Sequence, residues 1–122
     1  MRGGDRVRIT RSSDGCLIGA AGFDRIDWGA RRAEVGYWIG RQYWSNGYAS
    51  ETLIALIRAA FTSLDLHRVG ARHFVENRAS GRVMEKAGMQ QEGILRAYVT
   101  KDGQCIDIAV WSAIQGDWTP PE

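Results

Sequence analysis

Two stretches of this sequence carry residue types that could do chemistry. The first is Val35-Gly36-Tyr37-Trp38-Ile39 followed by Trp44-Ser45-Asn46-Gly47-Tyr48-Ala49, which runs directly into an apolar pattern of helical period. A helix start exposes backbone N–H groups that have no intrahelical acceptor, and a glycine ahead of it removes the side chain that would keep an anion away. The residues around Gly47 could therefore seat a phosphate, or Gly47 could simply make a turn. Neither G-x-G-x-x-G nor G-K-[ST] occurs, which counts against nicotinamide and nucleoside-triphosphate binding. The second stretch is Glu76-Asn77-Arg78-Ala79-Ser80, where Asn77 is a good helix N-cap. His73 stands alone on a strand, where a lone histidine is more often structural. Cys16 and Cys105 lie far apart with no C-x-x-C or Cys/His cluster, so neither a disulfide framework nor a metal site is indicated.

The elements that must position these residues follow from periodicity. Arg6 to Thr10 alternates polar and apolar as a half-buried strand does, and Ser12-Ser13-Asp14-Gly15 supplies a turn. Cys16 to Phe23 reads as a second strand, Asp27-Trp28-Gly29-Ala30 as a turn, and Ala33 to Ile39 as a third strand, giving an antiparallel meander. Leu53, Ile57, Ala60, Phe61 and Leu64 then set an amphipathic helix from about Ala49 to Leu64. Arg68 to Val75 is a strand. A short helix follows Asn77, with Val83, Met84 and Ala87 as its stripe and Gly88 as its left-handed stop. Gly93 to Thr100 and Cys105 to Ile114 form a final hairpin through Asp102-Gly103. The order βββ-α-β-α-ββ predicts an α+β fold, one mixed and mostly antiparallel sheet with flanking helices. The long helix is a crossover, so the third and fourth strands should be parallel neighbours at the sheet centre.

Taken together, Ala33-Glu34-Val35-Gly36-Tyr37-Trp38, the loop Trp44 to Ala49, Glu76-Asn77-Arg78-Ala79-Ser80 and Glu85-Lys86-Ala87-Gly88-Met89 resemble the GCN5-related N-acetyltransferase superfamily. The loop matches the form [Q/R]-x-x-G-x-[G/A] from its second position on, and the whole pattern looks like the branch containing the ribosomal-protein N-terminal acetyltransferases. The resemblance runs from about Arg6 to Ala113. It implies acetyl-CoA as co-substrate and no metal, in a cleft where the third and fourth strands diverge. Trp44, Ser45, Asn46, Gly47, Tyr48, Ala49 and Ser50 would hold the pyrophosphate, Tyr37, Trp38 and Ile39 would pair with the pantetheine, and Asn77 and Ser80 would line its other side. A neutral primary amine would attack the thioester directly. Glu34 is the first choice for the proton acceptor and Asp107 its rival, although Glu34 could be a solvated strand-end charge and Asp107 a structural acceptor. Many superfamily members place a Tyr seven residues after the motif Asn to protonate the leaving sulfur, and Met84 stands there. The resembled branch can use Ser80 instead. Gly36 would permit a bulge exposing an oxyanion-binding N–H near Tyr37 or Trp38.

Against the family, the chain begins at what would be the second strand, so a strand and two helices forming one wall of the acceptor pocket are not matched. A reduced chain, a fragment, and a homodimer completing the pocket are the three expectations, the last favoured by an open first edge strand. A non-catalytic CoA-binding or assembly module is the alternative function.

Composition bounds the remaining classes. A chain of 122 residues, 44% hydrophobic, fits one domain spanning residues 1–122. The charge of +2 argues against a dedicated nucleic-acid or membrane-surface protein. No apolar run approaches the ~20 residues of a membrane span, and the cysteine usage fits a reducing cytoplasm. Fifteen glycines, about 12% against a typical value near 7%, indicate a backbone that is bent or closely approached in several places.

Overall fold

The computed structural model describes residues 6–10, 15, 17–40 and 47–121. Its strands are β1 (Arg6–Thr10), β2 (Leu17–Asp27), β3 (Arg32–Ile39), β4 (Arg68–Phe74), β5 (Gln90–Lys101) and β6 (Gln104–Ile114). The helices are α1 (Tyr48–Thr62), between β3 and β4, and α2 (Arg78–Lys86), between β4 and β5. They form one sheet in the order β1-β2-β3-β4-β6-β5, antiparallel except for the parallel β3–β4 pair. The expected order of elements and the central parallel pair are both present.

Strand alternation sorts the two faces of the sheet. Ala21, Phe23, Ala33, Val35, Val69 and Ala71 are buried against the helices. The intervening positions, among them Asp24, Arg32, Glu34, Arg68 and Arg72, fall on the other face by the period-2 rule. α1 lays Leu53, Leu56, Ile57 and Ala60 on the sheet, the i, i+3, i+4, i+7 stripe of an amphipathic helix. Each fully buried Leu or Ile there contributes roughly 1.5–3 kcal/mol. α2 contributes Met84 to the same cluster and ends at Gly88, whose φ is 85°. Its C-terminus is closed by Trp118, which donates from Nε1 to Ala87 O at 2.9 Å and meets Phe61 edge-on at 5.9 Å. No helix among the described residues is long and apolar enough to cross a membrane.

Three irregularities depart from the sequence reading. β2 continues to Asp27, and its bulge sets Arg25 and Ile26 against Ala33 alone, with Arg25 at φ 53°. The bulge expected at Gly36 is absent: Gly36 stays in register with Gly22. The Asp24 carboxylate lies where a Cβ on Gly36 would come within 2.8 Å of it, so glycine leaves room for a side chain there. β5 is interrupted twice, by Glu92 opposite no residue of β6 and by Arg96–Tyr98 opposite Asp107.

The first β5 bulge has an electrostatic consequence. Glu92 accepts a two-pronged bond from Arg68 at 2.7 and 2.8 Å and a third from the Ser112 hydroxyl at 2.7 Å. The Arg68 hydrogen bond, with Ser112 second, pulls the Glu92 carboxyl down from 4.5 to about 2. A lowered folded-state pKa adds stability that is fully present above about 4.5 and is lost as pH falls towards 2. Because the Glu92 side chain is 41% exposed, solvent screening limits the contribution to about 1 kcal/mol. Glu92→Gln is therefore expected to cost about that much in urea unfolding at pH 7, and the difference from the parent should shrink between pH 4.5 and 3. An equal loss at every pH would assign the effect to packing.

Candidate active site

β3 and β4 pair over three rungs only, Arg32–Arg68, Ala33–Val69 and Glu34–Gly70. Beyond them β4 stays bonded to β6 as far as Phe74, and β3 stays bonded to β2 as far as Ile39. Past Glu34 the facing edges of β3 and β4 therefore have no strand partner among the described residues, and a fork opens between them. Along those edges, from Val35 to Trp38 on β3, alternate N–H and C=O groups face no strand among the described residues.

Glu34 sits on the last rung, at the apex of the fork. Its Oε1 lies 3.3 Å from Arg72 Nε. Its Oε2 lies over Gly70, where an added Cβ would come within 2.8 Å of that oxygen, so glycine makes room for the carboxylate. The Arg72 guanidinium also stacks on the Tyr98 ring at 5.5 Å, which steadies the cation that orients Glu34. On the same side of the sheet Glu34, Arg72, Arg68, Arg32, Arg25 and Trp28 line a cavity of about 600 Å³.

Two helix starts flank the fork. Gly47 has φ 80° with nothing within 4 Å of a prospective Cβ, and its carbonyl accepts from Glu51 N at 3.0 Å. That bond is the first of α1, so the amides of Tyr48, Ala49 and Ser50 have no acceptor inside the helix. The Ser50 hydroxyl donates back to Gly47 O at 3.2 Å. Trp44, Ser45 and Asn46 lie outside the described residues. At α2, Asn77 Oδ1 accepts from Ser80 N at 3.2 Å, the expected cap, and its Nδ2 hydrogens have no acceptor among the described residues.

Tyr37 shares the helix-facing side of β3 with Ala33 and Val35 and packs against the core. Its hydroxyl is buried, and no hydrogen bond of ordinary geometry closes on it among the described residues. Burial pushes the Tyr37 hydroxyl above 10.0, and Ser80, near enough to act on it, opposes part of the rise. Trp38, the next residue, is 55% exposed, and Ile39 is half-buried at the strand end.

The remaining candidates have structural partners. Trp111 Nε1 donates to His73 Nε2 at 3.0 Å, which leaves the proton of the neutral ring on Nδ1, 2.7 Å from Phe74 O. Both ring nitrogens are engaged, in keeping with the structural role expected of His73. Asp107 is exposed, and its Oδ1 accepts from Ala97 N at 2.7 Å, the structural acceptor role weighed for it from the sequence. That bond holds the second β5 bulge, where Ala97 has φ 49°. The structure does not bring Asp107 into contact with Glu34 or Ser80 through any bond among the described residues. Cys105 is free and exposed.

Comparison with known proteins decides the family. The acetyltransferase (GNAT) domain matches residues 3–90. The chain belongs to the GNAT acetyltransferase family. It is 40% identical over 112 residues to YoaA, an uncharacterized N-acetyltransferase of Bacillus subtilis (strain 168), covering 92% of this chain and 63% of the relative. It is 32% identical over 105 residues to the [ribosomal protein uS5]-alanine N-acetyltransferase of Escherichia coli (strain K12), covering 85% of this chain and 54% of that protein. Among solved structures, Mycobacterium smegmatis RimJ in complex with CoA-disulfide superposes with a TM-score of 0.78 at 30% identity, covering 84% of this chain and 49% of that one. The chain thus spans less than two thirds of the length of these relatives.

Within this GNAT chain the family match takes in Glu34, Gly47, Asn77 and Ser80 and ends before Asp107. Sequence reasoning had no role for Gly70, Arg72 or Tyr98. A signal for the first two exists in Arg68-Val69-Gly70-Ala71-Arg72, whose alternation puts Gly70 and Arg72 on the face that Glu34 also occupies.

Proposed function

We propose that this chain transfers an acetyl group from acetyl-CoA to a primary amine within the fork between β3 and β4. The observation that carries the reading is the fork itself: two diverging strand edges, flanked by two helix starts with unsatisfied polar groups, ending at a carboxylate. The described residues fit the co-substrate. The αL Gly47 and the amides of Tyr48 to Ser50 suit a pyrophosphate, the β3 edge at Tyr37 and Trp38, beyond the last rung to β4, suits an amide-bearing arm, and the Asn77 Nδ2 suits one of its carbonyls. Trp44, Ser45 and Asn46 complete the loop in this reading.

Acetyl-CoA supplies an activated acyl group, so that a C–N bond forms to the amine as the C–S bond breaks. Glu34 accepts the proton the amine gives up, directly or through one water, and Arg72 holds the carboxylate in place. A β3 amide near Tyr37 or Trp38 stabilises charge on the carbonyl oxygen. Ser80 protonates the leaving sulfur. Asp107, engaged at Ala97, is the less suitable base. The acceptor is a protein N-terminus or a small-molecule amine, entering from the cavity beside Glu34. β1 is the terminal strand of the sheet, which supports pairing with a second copy in a homodimer, readable as the mass in solution.

Titration of purified protein with acetyl-CoA and CoA, followed by thiol release with a panel of amines, tests the proposal. Saturable binding with amine-dependent thiol release is the expected result. No binding at millimolar ligand would overturn it, and binding without release from any amine would leave a CoA-binding module.

A further inference from the structure

A hydroxyl that is buried without a partner is rare in a folded protein, because it forgoes its bonds to water and gains nothing in return. Among the described residues Tyr37 Oη is in that position. Phenylalanine would fill the same apolar space on β3 without the penalty, so packing does not account for a tyrosine. The hydroxyl belongs to a residue past the last β3–β4 rung, on the helix-facing side of the sheet.

We infer that Tyr37 is a positioning residue for Ser80, its hydroxyl holding and recharging the Ser80 hydroxyl that faces the leaving sulfur; this rests on the acetyl-transfer reading above. Ser80 is suited to the part. Its main-chain N–H is fixed by Asn77, so only its side chain is free to turn, and Tyr37 is the buried hydroxyl that it influences. Met84, one turn further along α2, is 2% exposed and carries no proton to give. As the C–S bond breaks, the electron pair stays on sulfur and Ser80 Oγ–H transfers its proton there. Tyr37 Oη–H then replaces the proton on Ser80 Oγ, and the phenolate regains one back through Ser80 from solvent that enters the fork when CoA leaves. No net charge is left on the pair. Since burial keeps Tyr37 protonated, it begins the cycle as a donor.

The test compares Tyr37→Phe, Ser80→Ala and the double variant for kcat, for the KM of acetyl-CoA, and for Tm. Tyr37→Phe is expected to lower kcat about 10- to 100-fold, the range of a single proton-transfer partner, with KM within about twofold. Its Tm should stay close to that of the parent, since the hydroxyl's weak contact with Ser80 and the cost of burying it are removed together. Ser80→Ala should lower kcat similarly, and the double variant should lose no more than the worse single one, because the two act as a unit. A purely structural Tyr37 would instead give a lowered Tm with kcat unchanged, and that result overturns the inference. Additive losses in the double variant overturn it too. If the parent releases thiol and Tyr37→Phe does so at the same rate, only the inference fails; if the parent binds acetyl-CoA and releases none with any amine, the acetyl-transfer reading fails with it.

Discussion

Glu34→Gln is expected to lower kcat by about 100-fold or more while leaving acetyl-CoA affinity within about twofold of the parent. Glutamine keeps the shape of the side chain and can still accept a hydrogen bond from Arg72, but its amide cannot take up the proton that the amine must lose. The fold should survive. The Arg72–Glu34 pair is one-third exposed on both sides, so losing its charge attraction costs no more than about 1 kcal/mol. Glu34 lies on the sheet face away from α1, so the buried cluster is untouched. A second substitution separates the position of the carboxylate from its chemistry. In Gly70→Ala the new Cβ falls 2.8 Å from Glu34 Oε2, so the carboxylate has to swing away. The displaced atom is the end of a flexible side chain, which makes the move cheap for stability. A base displaced by about an ångström can still lose 10-fold or more in rate. Matching stability with a graded rate loss, Gln worse than Ala, is the expected pattern in steady-state kinetics and thermal unfolding. A Glu34→Gln rate within threefold of the parent would remove Glu34 as the base and return the role to Asp107.

The positions of Glu34 and Gly47 were legible in the sequence because each is fixed by local pattern. Helix periodicity in Leu53 to Leu64 sets the start of α1 to within a residue, which puts Gly47 at its N-cap whether it makes a turn or seats a phosphate. The parallel β3–β4 pair followed from the crossover rule, and the fork from the family resemblance. Nothing local announces where a register will slip. The bulge expected at Gly36 sits instead at Arg25, since bulging depends on what two paired strands must accommodate and a glycine can equally serve a neighbour's side chain, here Asp24. The same holds for Asp107: the sequence offered it as a base or as a structural acceptor, and the excursion of Arg96–Tyr98 opposite it gives its carboxylate a backbone amide to hold. Arg72 and Glu34 come from different strands, so their pairing required the register of Glu34 opposite Gly70. Tyr37 could be placed on β3, but the isolation of its hydroxyl is a property of packing alone.

At the other end of the fork, Gly47→Asp is expected to weaken acetyl-CoA and CoA binding by about 100-fold or more. The residue precedes α1 at φ 80°, with no atom of the described residues beyond its chain neighbours within 4 Å of a prospective Cβ, so a side chain there meets strain and no clash among them. For an L-residue that left-handed conformation costs roughly 1–2 kcal/mol, less for Asp and Asn, whose short polar side chains tolerate it. Charge has the larger effect. A carboxylate about 4 Å from one phosphate charge is opposed by about 4 kcal/mol at the effective dielectric of a protein surface, and a pyrophosphate offers more than one charge. Gly47→Asn isolates that term, because Asn has nearly the same size and the same ease in the left-handed region without the charge. In calorimetric titration Asn is expected to bind within about 10-fold of the parent, and Asp to fall at least another 10-fold below Asn. Added salt should narrow the gap between the two variants, since screening weakens repulsion between exposed charges. Equal affinities for Asp and Asn would place the phosphates elsewhere than on the start of α1, and the assignment of Tyr48, Ala49 and Ser50 to their binding would fall with that result.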